Sequence, residues 1–443
     1  MKEFINEGIK ESMQKSSREL LDFIEKSPSC FHAVANLAKM LQQEGFTELK
    51  EAECWKLEAS DRYYVVRNDS AMIAFQIPER KAGGFHIVAS HSDSPTFKIK
   101  EKPETEVEKH YLKLNTEKYG GMILSTWLDR PLSVAGRVAV SDINKKIRTQ
   151  LVNLDQDLLI IPNVAIHMNR DMNKGVEYNP QVDMLPLMGI CEDGAEPEGL
   201  LLRECAKAAG VDVKDILGQD LFLYVRDHGR ILGINNDFIV SPRLDDLQCA
   251  FSSMKAFGVT RPENYITLCA VFDNEEVGSM TGQGADSTFL SDVLGRISEA
   301  LVEEGESATT FCQRMIAGGF LISADNAHGV HPNHPEKADP TNRPYLNGGI
   351  VIKYHGSQKY TTDAYSAAYM KSLCEKAGVP FQTYANRSDI AGGSTLGNIS
   401  TSHVSISSAD IGLAQLAMHS AVETAGIRDT EYAVEMFREF FAE

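Results

Sequence analysis

Apolar positions in residues 5–27 recur at helical spacing. Ile5, Leu20, Leu21, Phe23 and Ile24 stand among charged neighbours, the pattern of an amphipathic helix with one buried face. The Ser-Pro-Ser turn at 27–29 ends it, and residues 31–43 read as a second helix. From Tyr63 the pattern shortens to YYVVR, AMIAFQI and FHIVAS, runs rich in Val and Ile between polar or Gly-containing turns, and these read as strands. From residue 245 onward strands and helices alternate. YITLCAVFD, GFLISAD, GIVIKYH and PFQTYA are strand-like, and helices are expected near 286–303, 362–377 and 429–441. Such alternation predicts a doubly wound α/β sheet.

Between these stretches the character changes. Residues 98–167 carry short alternating runs (LKLNT, GRVAVS, IRTQLVNL, LLIIPNVAI) with few helical signals. Residues 168–196 are polar and loop-like, 198–216 look helical, and LFLYVRD and FIVSPRL return to strand character. The expected organisation is an α/β domain built from 1–95 and 237–443, interrupted by a β-rich insertion over 96–236.

The 443 residues, 43% of them hydrophobic, suffice for a large core and exclude disorder, collagen and coiled coil. With 44 Lys and Arg against 62 Asp and Glu, the net charge of −18 argues against nucleic acid or an anionic membrane as the main partner. An acidic small substrate is not forbidden, because one cation in a pocket outweighs a distant surface field. There is no run of eighteen apolar residues and no apolar core in the first residues, so neither a transmembrane helix nor a signal peptide is expected. Eight cysteines without a C-x-x-C pair read as reduced thiols of a cytoplasmic protein, which leaves His and carboxylates to hold any metal.

Five segments put acids and histidines at or near the carboxyl ends of expected strands, where open α/β sheets bind ligands. In FHIVASHSDSP, His91 and Asp93 are two apart and share a side in extended backbone. One suits a metal and the other an orienting bond to an imidazole, although a polar turn shows the same letters. In SPRLDDLQCAF, Asp245 and Asp246 open a helix, where they serve equally as N-cap and first-turn acids. ITLCAVFDNEEVGS ends in Asp273, Glu275 and Glu276, acids that repel one another unless a cation is present. Adjacent glutamates suit one metal ligand and one general base, with a solvated loop as the competing reading. GFLISADNAHGVHPNHP offers Asp325, then His328, His331 and His334. Gly329, Pro332 and Pro335 oppose a regular helix there, so Asp325 reads as a ligand and the histidines as pocket lining. His419, in SADIGLAQLAMHSAVET, follows an apolar stretch and taken alone reads as a core histidine.

Together these segments supply two histidines and several carboxylates on successive elements of one sheet, a donor set suited to two zinc ions bridged by an aspartate. Co²⁺ and Mn²⁺ accept the same donors. Competing chemistries lack their motifs. GGSTLG at 392–397 has the wrong spacing for a serine elbow, and no phosphate loop, G-x-G-x-x-G or H-E-x-x-H occurs.

Read in order, SPSCFHAV, RNDSAMIAF, ASHSDSPTFKIK, TWLDRPLSVAGRV, PNVAIHMNR, SPRLDDL, DNEEVGS, SADNAHGVHPNH, GGSTLG and MHSAVET resemble the aspartyl aminopeptidase family of dinuclear zinc metallopeptidases over nearly the whole chain. The resemblance implies a zinc-peptidase-like mixed sheet flanked by helices, with an inserted β-rich dimerisation domain. It implies His91, Asp245, Glu276, Asp325 and His419 as ligands of two Zn²⁺, with Asp245 bridging. Glu275 would be the general base that takes a proton from water and passes it to the leaving amine, and Asp93 would orient the site. His167 would reach a neighbouring subunit's site, in dimers packed into a tetrahedral dodecamer. The implied activity is removal of the N-terminal residue from peptides. LDD stands here where many relatives have LDN. The family's N-terminal preference varies between Asp or Glu and neutral or basic residues. Lys353 in GIVIKYH is the candidate cation for an acidic side chain, with an outward-facing strand lysine as the alternative, and His331 is a candidate substrate contact. A non-enzymatic assembly scaffold would be favoured by lost ligands, and all five are present.

Overall fold

The computed structural model describes residues 2–191, 198–393 and 395–443, with side chains from Gln14 onward. Ser394 of GGSTLG and residues 192–196 of the expected polar loop lie outside the described residues.

Thirteen strands form one mixed sheet. At its centre four neighbours run parallel, in the order Ile266–Phe272, Phe85–His91, Phe320–Ala324 and Ser407–Leu416. Their near-continuous apolar runs are what a parallel strand covered on both faces needs. Along the central strands side chains alternate between two cores. Ile87, Ala89, Leu268 and Ala270 pack toward the helices Phe289–Leu301 and Ala308–Ala317, while Val88, Cys269 and Val271 pack toward Cys30–Gln43, Leu244–Val259 and Asp429–Ala442. The α/β alternation expected from the sequence is present, with antiparallel strands at the margins. Arg62–Arg67 and Ala71–Gln76 form a hairpin because only three residues join them, too few for a parallel crossover. Ile350–Tyr354 runs antiparallel to Ser407–Leu416 and parallel to Phe381–Ala385.

The segment after Pro95 builds a separate six-stranded antiparallel sheet, ordered Ile147–Asn153, Leu132–Ser141, Ile216–Val225, Thr96–Val107, Tyr111–Tyr119 and Leu187–Ile190. Phe97, Leu114, Val134, Val138 and Leu221 form its core with Trp127 and the helix Leu200–Ala209. The chain re-enters the large sheet at Arg230–Leu232, which pairs with Phe238–Ser241.

Some local expectations differ from the outcome. LLIIPNVAI makes only isolated bridges at Leu159 and Ile160, and Pro162 has no N–H to extend them. The helix expected over 198–216 stops at Ala209, where Gly210 at φ 66° caps it and the chain turns toward the next strand. SADIGLAQL, read only as an apolar stretch, is the last central strand. All eight cysteines are unpaired. Among the described residues no helix is long and apolar enough to cross a membrane.

Candidate metal centre

The central strands deliver their chemistry at one edge. His91 ends its strand, Glu275 and Glu276 follow Phe272 in a short 3-10 turn, Asp325 follows Ala324, and His419 follows Leu416. Asp245 and Asp246 enter from the start of the helix Leu244–Val259, joined by a cis peptide bond. Strand order thus gathers residues up to 328 positions apart, the separation of His91 and His419.

Donor atoms of His91, Asp245 and Asp325 lie within 4.8 Å of one another, as do those of Asp245, Glu276 and His419 and those of His91, Glu275 and Glu276. Asp245 belongs to two of these groups. Its Oδ1 is 3.6 Å from His91 Nε2 and its Oδ2 is 3.4 Å from His419 Nε2, which is also 3.4 Å from Glu276 Oε1. Both imidazoles turn Nδ1 to a backbone carbonyl, His91 to Asp93 at 3.1 Å and His419 to Gly121 at 2.9 Å. A carbonyl only accepts, so Nδ1 donates and each Nε2 is left to face the carboxylates. That is the arrangement of a metal-binding histidine.

The electrostatics test whether a cation fits. Asp245 Oδ1 is buried without a hydrogen-bond partner. Burial, then the charges of Asp325, Asp93 and Asp245, pushes the Glu275 carboxyl up to about 8 against the pull of His91. Burial also raises Asp325 to about 6, although Lys353 opposes it, and lifts Glu276 well above the carboxylate range. Burial disfavours the charged rings of the two histidines, yet Asp245 and its acidic neighbours outweigh it. His91 rises well above its ordinary value and His419 rises to about 10. The same rings hold Asp245 below the usual range against its own burial. In metal-free protein the cluster therefore keeps protons it would release to zinc, whose preference for imidazole nitrogen and carboxylate oxygen matches these donors. Burial, with the charges of Asp325 and Asp245, pushes the Asp246 carboxyl well above the usual range against the pull of His91.

The surrounding contacts were partly legible. Asp93 accepts from the main-chain N–H groups of Glu275 and Glu276, each at 3.2 Å, and so holds the loop that carries both glutamates. Its Oδ1 is 3.2 Å from His91 Nδ1. Glu423 was not singled out from the sequence. Buried, it accepts from His419 N at 2.8 Å and from Asp245 N at 3.0 Å, tying two remote segments together. Its position four residues after His419 in MHSAVET was the available signal.

A pocket opens beside the cluster, lined by Glu275, Asp325, His328, Lys353, Tyr360 and Thr395 among others. Lys353 is buried rather than outward-facing. Its ammonium donates to Asn326 O at 2.8 Å and lies 3.9 Å from Asp325 Oδ2. Of the three histidines expected to line the pocket, His328 does. His331 and His334 pair with each other, ring centroids 5.3 Å apart, away from that wall. His167 is exposed on the insertion and does not join the cluster within one chain.

Residues 23–441 match the family described as aminopeptidase I zinc metalloprotease (M18). A probable M18 family aminopeptidase 2 of Clostridium novyi is 49% identical over 430 residues, covering 96% of this chain and 98% of that protein. Its counterpart in Clostridium acetobutylicum is 48% identical over 428 residues, at 96% and 98% coverage. The cryo-EM structure of the Ape4 and Nbr1 complex superimposes with a TM-score of 0.92 at 36% identity, over 97% of this chain and 86% of that one. The S. cerevisiae mApe1 dodecamer gives 0.85 at 27% identity, over 97% and 96%.

Proposed function

The chain belongs to the aminopeptidase I zinc metalloprotease (M18) family, and from that premise we propose how it removes the N-terminal residue of a peptide. Two zinc ions would be held by His91, Asp245, Glu276, Asp325 and His419, with Asp245 shared. The observation that carries this reading is that the two oxygens of Asp245 face different imidazoles, Oδ1 toward His91 Nε2 and Oδ2 toward His419 Nε2, between two donor groups. When bound, zinc polarises a carbonyl and acidifies water. Glu275 lines the pocket without belonging to either Asp245 group, which suits it to accept the proton of the attacking water and return it to the leaving amine. Asp93 holds that loop and His91 in place, and the acids around the pocket favour the ammonium of a free N-terminus.

For the substrate we propose an N-terminal Asp or Glu, with Lys353 as the cation at the base of the pocket. Its existing bond to Asn326 and its approach to Asp325 favour a second reading, a neutral preference, because part of its charge is already answered. For assembly we propose the division 1–95, 96–236 and 237–443, with the insertion mediating dimers that build a tetrahedral dodecamer. Ile160, Val164, Ile166 and Met168 stand exposed around His167, which supports a partner covering this face and His167 entering the partner's site. The unpaired cysteines support a cytoplasmic location.

Initial rates on zinc-reconstituted protein with peptides differing only in an N-terminal Asp, Glu, Lys, Leu or Ala test the substrate. A preference for Asp and Glu upholds the acidic reading, and a preference for Leu or Ala replaces it with the neutral one. No cleavage across the panel with zinc bound defeats the aminopeptidase reading. His167→Ala should lose activity and keep its metal, and mixing it with Glu275→Gln should restore turnover if sites are shared between copies.

A further inference from the structure

We infer that Tyr119, Gly120 and Gly121, which end and follow a strand of the inserted sheet rather than of the catalytic one, are positioning residues of the metal centre, so that metal occupancy and the seating of the insertion are coupled. The inference rests on the two-zinc reading above.

Each of the three residues holds a different catalytic segment. Tyr119 ends the strand Tyr111–Tyr119, and its hydroxyl donates to Asp93 Oδ2 at 2.8 Å while accepting from Asn274 Nδ2 at 2.8 Å. Asp93 is the carboxylate beside His91 that also receives the N–H groups of Glu275 and Glu276. Asn274, at φ 61°, begins that loop and accepts from Thr281 and Gln283 on its far side. One phenol therefore links the two groups that orient His91 and the paired glutamates. Gly120, at φ +81°, lies against Glu276. A Cβ there would stand 3.1 Å from Glu276 Cβ and 3.4 Å from Pro95 Cα, so glycine meets both the backbone conformation and the close approach. Gly121 supplies the carbonyl that accepts from His419 Nδ1, and Ile123 N donates back to His419 O at 2.9 Å. His419 is thus held by ring and main chain alike from the insertion.

Partners of this outer kind change metal affinity or activity by roughly 10–100-fold when removed. Coupling between two equilibria is reciprocal, so zinc that is held better by a seated insertion must in turn seat it. An insertion that carries an exposed apolar face then has a route from its own contacts to the metal ligands.

Tyr119→Phe keeps the ring against Phe222 and removes only the hydroxyl. We expect zinc affinity, read by chelator competition, to fall about tenfold, and kcat to fall more than KM rises. The absorption spectrum of the cobalt-substituted protein should change, which a loss of general stability would not produce. In wild-type protein zinc should slow hydrogen exchange over 119–126, and in Tyr119→Phe this slowing should shrink. Gly120→Ala should lose zinc more severely; if it does not fold, Tyr119→Phe decides alone. Wild-type zinc affinity, spectrum and kcat in Tyr119→Phe, or exchange over 119–126 that ignores zinc in the wild type, overturns the coupling. Wild-type protein that takes up no zinc overturns the two-zinc reading and the coupling together.

Discussion

Every residue of Phe85–His91 and Ile266–Phe272 in the large sheet is buried, whereas Tyr111–Tyr119 in the inserted sheet mixes buried, half-buried and exposed positions. A strand packed on both faces cannot shift without opening a cavity, so residues just past its end are held where they are even when they repel. That is the property needed to crowd four acids and two histidines into one place. A strand with a free face holds its own core on one side and leaves the other for something else. In the insertion that free face includes large apolar side chains, while the segment leaving Tyr119 reaches back to Asp93 and His419. On the reading proposed above, the doubly covered sheet would carry the chemistry and the singly covered one the contact with partners.

The sharpest way to break this comparison is to alter chemistry without altering packing. Glu275→Gln should lower kcat by about 10²–10⁴-fold with zinc content unchanged, measured by rates and metal analysis. Activity that survives would remove Glu275 as the base and leave the large sheet with only a binding role. Next in size is the pH dependence of zinc affinity. In the metal-free site Asp245 and its acidic neighbours raise both imidazoles despite burial, His91 well above its ordinary value and His419 to about 10, which favours their protonated forms. Zinc must displace those protons, so its affinity should rise with pH through neutrality and fall as the medium acidifies. Calorimetry in two buffers of different ionisation enthalpy should show protons released on binding; proton uptake would contradict the assigned ligand states.

Packing itself separates the two sheets more finely. Leu268, fully buried in the central strand, should cost about 2–5 kcal/mol when truncated to Ala, read from denaturant midpoints. Met168, 82% exposed on the insertion, should change the same midpoint by less than about 0.5 kcal/mol when replaced by Ala. Its effect should appear instead as smaller particles in light scattering. A large loss of stability in Met168→Ala without loss of assembly would erase the distinction between the sheets.

The sequence showed most of what depends on neighbours along the chain. The runs FHIVASH and ITLCAVF could be read as buried strands because their apolar letters are consecutive, and the acids that follow were visible because strand ends are local. His331 was read together with His328 because three histidines three apart look equivalent. His328 lines the pocket while His331 packs against His334, and nothing in the spacing chooses between them. The mixed direction of the sheet came from the family resemblance alone, since an apolar run does not say which way it lies.

By itself, then, the amino-acid order determined the α/β alternation, the β-rich interruption and a set of acids and histidines at strand ends. Each follows from periodicity or from side-chain chemistry within a few residues. Only the tertiary structure decided that Glu423 ties Asp245 to His419, that Lys353 is buried beside Asp325, and that the Gly121 carbonyl orients an imidazole 298 positions away. Two of these contacts end on main-chain N–H or C=O groups, which residues carry whatever their side chain, proline lacking only the N–H. Such groups leave no mark in the letters, and which of them meet is settled by strand order and packing.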